Sequence, residues 1–272
     1  MPTPEGFEPL SPVIDTHAHL DDGRLRADFA GTIARARSAG VVQIVAIGTT
    51  AADSAEVVAL ARSNPGLFAA VGIHPNEAVH ATDGDWDAVA ELARGPAVVA
   101  IGETGLDRHW DQTPFDLQRI WFARHLDLAH RLDRPVVIHA RDCLGDLIDQ
   151  LHALGRPVIG VQHSFAGGWD EARALLDLGL HLSFSGMLTY TNRSLDPLRD
   201  VAARLPLDRL LIETDSPYLS PHPFRGRPNE PARVAVTARR LAEIRGIDPG
   251  QLAQATTDNA RRLFRLPSWP TL

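Results

Sequence analysis

The sequence predicts one (β/α)8 TIM barrel over residues 13–272, preceded by a proline-bearing extension at 1–12. Three observations predict it. Short β-branched apolar runs alternate with longer amphipathic stretches, the pattern of βα units around a parallel sheet. Eight such runs occur within 272 residues, and α/β barrels use about 250 residues as a single unit. Residues able to do chemistry follow the runs, and a barrel places its site at the carboxyl ends of its strands.

In chain order the strand candidates are Val13–Asp15, Val41–Ile47, Leu67–Gly72, Ala97–Ile101, Pro135–Ile138, Val158–Val161, His181–Phe184 and Arg209–Ile212. Helix-like segments lie between them. In Gln118–Leu132, Trp121, Phe122, Leu126, Ala129 and Leu132 recur at helical spacing. Others begin near Ala51, Asp85, Asp142, Trp169 and Asp196, and Pro231–Arg245 with Pro249–Phe264 read as two terminal helices. No repeat, low-complexity block or linker divides the chain.

Composition excludes several function classes. The net charge is −7, so the field of the whole molecule repels a polyanion and any phosphate must be held locally. All 27 basic residues are arginine, which removes Schiff-base chemistry, lysine general bases and a carbamylated lysine bridging metals. A single cysteine, Cys143, allows no internal disulfide and no cysteine-rich zinc site, as expected in a reducing cytoplasm. The opening MPTPEGFEPLSP lacks the basic and apolar regions of a secretory signal. No run of 18 apolar residues suggests a membrane span.

The residues after the runs form a constellation. The first run leads into His17 and His19, the third into His74, the fourth into Glu103 and Asp107, the fifth into His139, Arg141 and Asp142, the sixth into His163, and the eighth into Glu213 and Asp215. Histidines two apart on a strand share a face, so His17 and His19 can reach one ion. Together with Glu103, His139, His163 and Asp215 they make a mixed nitrogen and oxygen set suited to zinc, manganese, iron or cobalt. Six ligands exceed one tetrahedral site and suit two divalent ions. With no lysine to carbamylate, Glu103 is the natural bridge, with His17, His19 and Asp215 on one ion and His139 and His163 on the other. Such a pair can generate a bridging hydroxide at neutral pH, and Asp215 can handle the proton. Glu103 and Asp215 are thus the expected catalytic carboxylates. His74, without a place in that arithmetic, is assigned to substrate or to the core.

These motifs resemble the TatD family of metal-dependent deoxyribonucleases, within the amidohydrolase superfamily. The resemblance runs from Asp15 to about Phe264. It rests on DTHAHL (Asp15–Leu20), VGIHP (Val71–Pro75), IGETGLD (Ile101–Asp107), PVVIHARD (Pro135–Asp142), FSGMLTY (Phe184–Tyr190), LLIETDSPYLSP (Leu210–Pro221) and RGRPNEP (Arg225–Pro231). It implies that His17, His19, Glu103, His139, His163 and Asp215 bind divalent metal, with magnesium or manganese implied by the family and zinc favoured by the imidazoles. The family's usual cysteine after the sixth-strand histidine is replaced here, where the chain reads His163-Ser164-Phe165.

For a nuclease, Arg141, Arg225, Arg227 and Asn229 are candidates for phosphate, and His109 for substrate contact. Trp110, Tyr190, Tyr218 and Phe224 could stack a base. The expected activity is a 3'–5' exonuclease whose partner is DNA, favouring single-stranded ends because a recessed barrel mouth admits a terminus better than a duplex. The alternatives are hydrolysis of a lactone, an amide or an aminoacyl-tRNA ester by the same metals, and a barrel used only for binding, which would predict lost ligands. Oligomeric state is open, a monomer being plausible. Cys143 reads as an inert helix residue. His80, His125, His130, His152, His181 and His222 read as structural or solvated.

Overall fold

A computed structural model describes residues 8–10 and 12–268. Most of the expected extension at 1–12 therefore lies outside the described residues. Among those described, Leu10 is buried, and its N–H donates to the Ala39 carbonyl at 3.0 Å.

The strands are β1 (Val13–Ala18), β2 (Val41–Ile47), β3 (Leu67–Val71), β4 (Val98–Asp107), β5 (Val136–Arg141), β6 (Gly160–Gln162), β7 (His181–Phe184) and β8 (Leu210–Ile212). The helices are α1 (Gly23–Arg26), α2 (Phe29–Ser38), α3 (Ala51–Ser63), α4 (Asp83–Leu92), α5 (Phe115–Leu132), α6 (Leu144–His152), α7 (Trp169–Asp177), α8 (Asp196–Arg204), α9 (Val234–Arg245) and α10 (Pro249–Phe264). The strands follow one another in one eight-stranded sheet in sequential order. Ala18 at the end of β1 makes a parallel bridge with Ser216 after β8, which brings the last strand to the first. This is the (β/α)8 barrel that the alternation predicts.

By contact density the described chain divides into two compact units, one from 1–45, 164–169 and 182–272, the other from 46–163 and 170–181. In the first, β1 is buried at all six positions. Helix α10 starts where Pro249 occupies its first turn and the Asp248 carboxylate accepts from the Gly250 and Gln251 amides, satisfying N–H groups that no helical carbonyl can reach. Its buried face runs through Leu252, Thr256, Asn259 and Leu263. The Asn259 amide on that face donates to the Leu207 and Leu210 carbonyls at 2.7 and 2.8 Å, tying α10 to the start of β8. Helix α2 was not expected from the sequence. Asp28 caps it, but Thr32, Ile33 and Ala36 are its buried residues, too small and too few to give a helical hydrophobic period.

In the second unit all ten residues of β4 are buried. Helix α4 opens with a capping box between Thr82 and Asp85. Helix α5 buries Trp121, Phe122, His125, Leu126, Leu128 and Ala129 and stops at Asp133 in the left-handed region. His125 is fully buried. Its Nε2 accepts from the Ile73 N–H at 2.9 Å and its Nδ1 lies 2.7 Å from the Trp121 carbonyl. A ring that accepts at one nitrogen and donates at the other is neutral. Burial, opposed by the Trp121 hydrogen bond, pushes its pKa down from 6.5 to about 4.

The unfolded chain therefore takes up a proton at His125 between pH 6.5 and about 4 that the folded chain refuses. Above that window the stabilisation is complete; as pH falls through it, stability drops by up to roughly 3 kcal/mol. His125→Gln can accept and donate at the same two points without titrating. Urea unfolding between pH 7 and 4 should accordingly show a pH dependence flatter in this variant by up to about 3 kcal/mol; parallel curves would rule out the assignment.

Candidate metal centre

The first unit brings three ligand-bearing residues together. His17 is the penultimate residue of β1 and fully buried, His19 follows the strand, and Asp215 lies three residues beyond β8. Two backbone bonds clamp the chains that carry them, Asp215 N–H to the His17 carbonyl at 2.9 Å and His19 N–H to the Ser216 carbonyl at 2.8 Å. The donor atoms converge: His17 Nε2 lies 3.3 Å from His19 Nε2 and 3.6 Å from Asp215 Oδ1, and His19 Nε2 lies 3.4 Å from the same oxygen. Asp215 sits in the left-handed region at φ 54°, a conformation uncommon outside glycine and asparagine and concentrated at functional sites.

Buried groups hold that turn in place. Asp15 accepts from the Thr214 hydroxyl at 2.6 Å, the Thr214 N–H at 2.9 Å and the His17 N–H at 3.3 Å. Burial, with the nearby Glu213 charge, pushes the Asp15 carboxyl up to about 8 against these hydrogen bonds. Asn229, expected at the substrate, is corrected here. It is fully buried, its side-chain N–H2 donates to the Thr214 carbonyl at 2.9 Å, and its side-chain oxygen accepts from the Glu230 N–H at 3.0 Å. Its polar atoms are spent bracing the turn that carries Asp215.

The second unit gathers the other set. Glu103 Oε1 lies 2.8 Å from His163 Nε2 and 3.0 Å from His139 Nδ1, and those two nitrogens are 3.3 Å apart. His74 joins them, its Nε2 3.7 Å from Glu103 Oε1 and its ring 4.5 Å from that of His139. His74 has no place in the ligand count made from the strand ends, yet it lies within the metal-capable group His74, Glu103 and His139. Burial alone would lower the His139 pKa, but hydrogen bonds to Asp107 and Glu103 hold it above its ordinary value. The GETG sequence is needed sterically: Gly102 and Gly105 have φ of 138° and 144°, and a Cβ on either would overlap the Val137 or the His139 carbonyl oxygen. Glycine there lets β4 lie close enough to β5 for Glu103 and His139 to meet.

These residues fit divalent metal. Ligands about 2.1 Å from an ion in tetrahedral array stand roughly 3.4 Å apart, and closer in octahedral array. Separations of 3.3, 3.4 and 3.6 Å in one set and 2.8, 3.0 and 3.3 Å in the other span that range. Nitrogen and carboxylate donors on rigid strand ends suit zinc or manganese.

The expected substrate residues are more dispersed. Arg141 is exposed, its guanidinium 5.9 Å from the Trp110 ring. His109 is 4.9 Å from Trp110, ring to ring, and pairs with Asp142 at 3.2 Å. Arg225 stacks on Tyr190 at 4.2 Å, and Arg227 is exposed. Tyr218 is 49% exposed, with His19 and Arg24 against its ring. Phe224 lies under Arg233 instead of facing outward alone. Cys143 is buried, its thiol donates to the Leu106 carbonyl, and burial pushes it up to about 11, so it is no nucleophile.

Asp107 is the residue to which sequence reasoning assigned no role. It is buried at the end of β4 with Oδ2 2.9 Å from His139 Nε2. Burial would raise its carboxyl, but the His139 hydrogen bond and charge, with the Trp110 and His109 amides, bring it down to about 2. The signal was available: in the β4–β5 register Gly105 faces His139, so a carboxylate two residues further along is in reach of that ring.

The model of TatD-related DNases matches residues 14–265 of this chain. The uncharacterized metal-dependent hydrolase YabD of Bacillus subtilis is 38% identical over 255 residues, covering 93% of this chain and 99% of its own. The 3'-5' ssDNA/RNA exonuclease TatD of Edwardsiella piscicida is 35% identical over 260 residues, covering 93% and 100%. Among solved structures, the TatD homolog YjjV of Escherichia coli has a TM-score of 0.88 at 36% identity over 95% of this chain and 100% of its own. With two sets of metal-capable side chains on the strand ends of a barrel, the chain belongs to the TatD family and is a metal-dependent hydrolase.

Proposed function

We propose that this hydrolase is a 3'–5' exonuclease acting on single-stranded DNA ends, and that two divalent ions would be held, one by His17, His19 and Asp215 and the other by Glu103, His139 and His163. The observation that carries the metal assignment is the convergence of two donor triads at ligand–ligand spacing. When bound, the ions supply Lewis acidity for a phosphoryl oxygen and lower the pKa of water. The protein's own groups supply the rest. Asp215, at a turn clamped to β1, is placed to take and return a proton. Glu103 contributes negative charge in a site from which water is nearly excluded, its side chain being 3% exposed.

Recognition rests on local charge, because the chain carries −7 overall. Arg141 at the end of β5 and Arg225 and Arg227 on the loop after β8 present exposed guanidinium groups, and arginine pairs with phosphate through two parallel N–H donors. Trp110 and Tyr218, 48% and 49% exposed, offer faces on which any base can stack. The name of the Edwardsiella relative, a 3'-5' ssDNA/RNA exonuclease, supports the same polarity and strand preference and brings single-stranded RNA into the assay.

End-labelled single-stranded DNA with manganese or magnesium should release mononucleotides from the 3' end, and Glu103→Gln should reduce this to background. Release of long internal fragments would sink the exonuclease reading. Intact DNA and RNA under every divalent metal, with hydrolysis of a lactone or aminoacyl ester, would put the chemistry on a carbonyl instead. Chelation supplies a separate check: an ion present at a hundred times its Kd stabilises the fold by about 2.7 kcal/mol per site. Removing metal should lower the melting temperature, and restoring manganese should recover it. Asp215→Asn should show a smaller recovery than wild type.

A further inference from the structure

We propose that Asp107 is a positioning residue that sets the tautomer of His139 and so decides which ring nitrogen is offered to metal. Both carboxylate oxygens of this buried side chain are occupied. Oδ1 accepts from the His109 N–H at 2.8 Å and the Trp110 N–H at 3.1 Å. Oδ2 meets the Asn76 side-chain N–H2 at 3.3 Å and His139 Nε2 at 2.9 Å. Three of these four partners can only donate, and an ionised carboxylate can only accept. His139 Nε2 therefore carries a hydrogen. A ring that is to bind metal must be neutral, and a neutral imidazole has one donor and one acceptor nitrogen, so in that form Nδ1 presents its lone pair. That nitrogen is the one 3.0 Å from Glu103 Oε1 and 3.3 Å from His163 Nε2.

The same carboxylate ties the ligand to the loop beside it. Its Oδ1 bonds fix the backbone at His109 and Trp110, while its Oδ2 fixes His139. Orientation of the ring and of the Trp110 loop thus depends on one side chain at the last position of β4. Partners of this kind typically change metal affinity 10- to 100-fold when removed.

Asp107→Asn separates tautomer control from packing. The introduced side-chain oxygen can keep the two amide bonds to His109 and Trp110, which turns its N–H2 toward His139. Asn76 can accommodate that change, because its side-chain oxygen is buried without a hydrogen-bond partner and can swing round to accept. His139 Nε2 then has to accept, and Nδ1 carries the hydrogen toward Glu103, where it blocks ligation.

The inference rests on Glu103, His139 and His163 being ligands, and His163→Ala tests that separately. In cobalt titrations of metal-free protein followed by visible absorption, His163→Ala and Asp107→Asn should each weaken one of two ions, the latter by about 10- to 100-fold. The other ion should bind as in wild type. Unchanged binding in His163→Ala would remove the ligand assignment. Weakened binding in His163→Ala with unchanged binding in Asp107→Asn would overturn the role of Asp107 alone. Nitrogen NMR of the metal-free wild type, recorded above the His139 titration, should show the hydrogen on Nε2, moving to Nδ1 in Asp107→Asn. A hydrogen on Nδ1 in wild type overturns the proposal even if the variant fails to fold.

Discussion

The rest of the structure depends on a carboxylate buried within β4 among imidazoles. The Glu103 side chain is 3% exposed, with His163, His139 and His74 at 2.8, 3.0 and 3.7 Å. Removing an ionised carboxylate from water costs several kcal/mol unless positive charge or hydrogen bonds replace the solvent. No lysine exists anywhere in the chain to supply that charge, and three imidazoles stand within 3.7 Å of the Glu103 carboxylate. Hydrogen bonds from the imidazoles meet part of this requirement, and a divalent cation would meet the rest. The electrostatics that make the site expensive without metal are the same ones that make it bind metal.

That requirement reaches into the backbone. To bring Glu103 and His139 within 3.0 Å, β4 has to run close beside β5, and the two glycines flanking Glu103 remove the side chains that would strike β5 carbonyls. The continuous ladder from Thr104 to Asp107 against Ile138 to Arg141 then fixes the register. In the other unit the cost is borne at Asp215, whose φ of 54° is held by Asp15, Thr214 and Asn229. Left-handed or glycine-dependent backbone at Gly102, Gly105 and Asp215 thus serves to aim donor atoms.

Much of the barrel was legible because its strands are buried on both faces and read as apolar runs. The ends of the strands were less so. The apolar reading stops at Asp15, Ile101 and Ile138, whereas the ladders continue to Ala18, Asp107 and Arg141. Polar residues that serve as ligands break the apolar signal while the hydrogen bonding goes on, so His17, Glu103 and His139 lie on strands and not after them. The proposed ligands were legible because histidine and carboxylate recurred at successive strand ends. Asn229 misled because an asparagine in an arginine-rich loop reads like a phosphate contact, and nothing local reveals that Thr214 and Glu230 occupy its amide.

Asp15 and Asp107 show why the chemistry was easier to read than the substrate. Each is a buried carboxylate that supports a candidate ligand, Asp15 through the backbone of the Asp215 turn and Asp107 through the ring of His139. Donor atoms held by strands and by such supports are confined to one geometry, and residue type and strand position nearly define them. The groups that would meet substrate, Arg141, Arg225, Arg227, Trp110 and Tyr218, stand on exposed strand ends or loops. There they lie against neighbouring side chains, as in the stacking of Arg225 on Tyr190 and of Arg24 on Tyr218. Barrel enzymes diversify through those loops while keeping the strand ends. The rigid part of this molecule therefore carries the donor atoms of a metal-dependent hydrolase, and the proposed substrate contacts fall on exposed arginine and aromatic side chains.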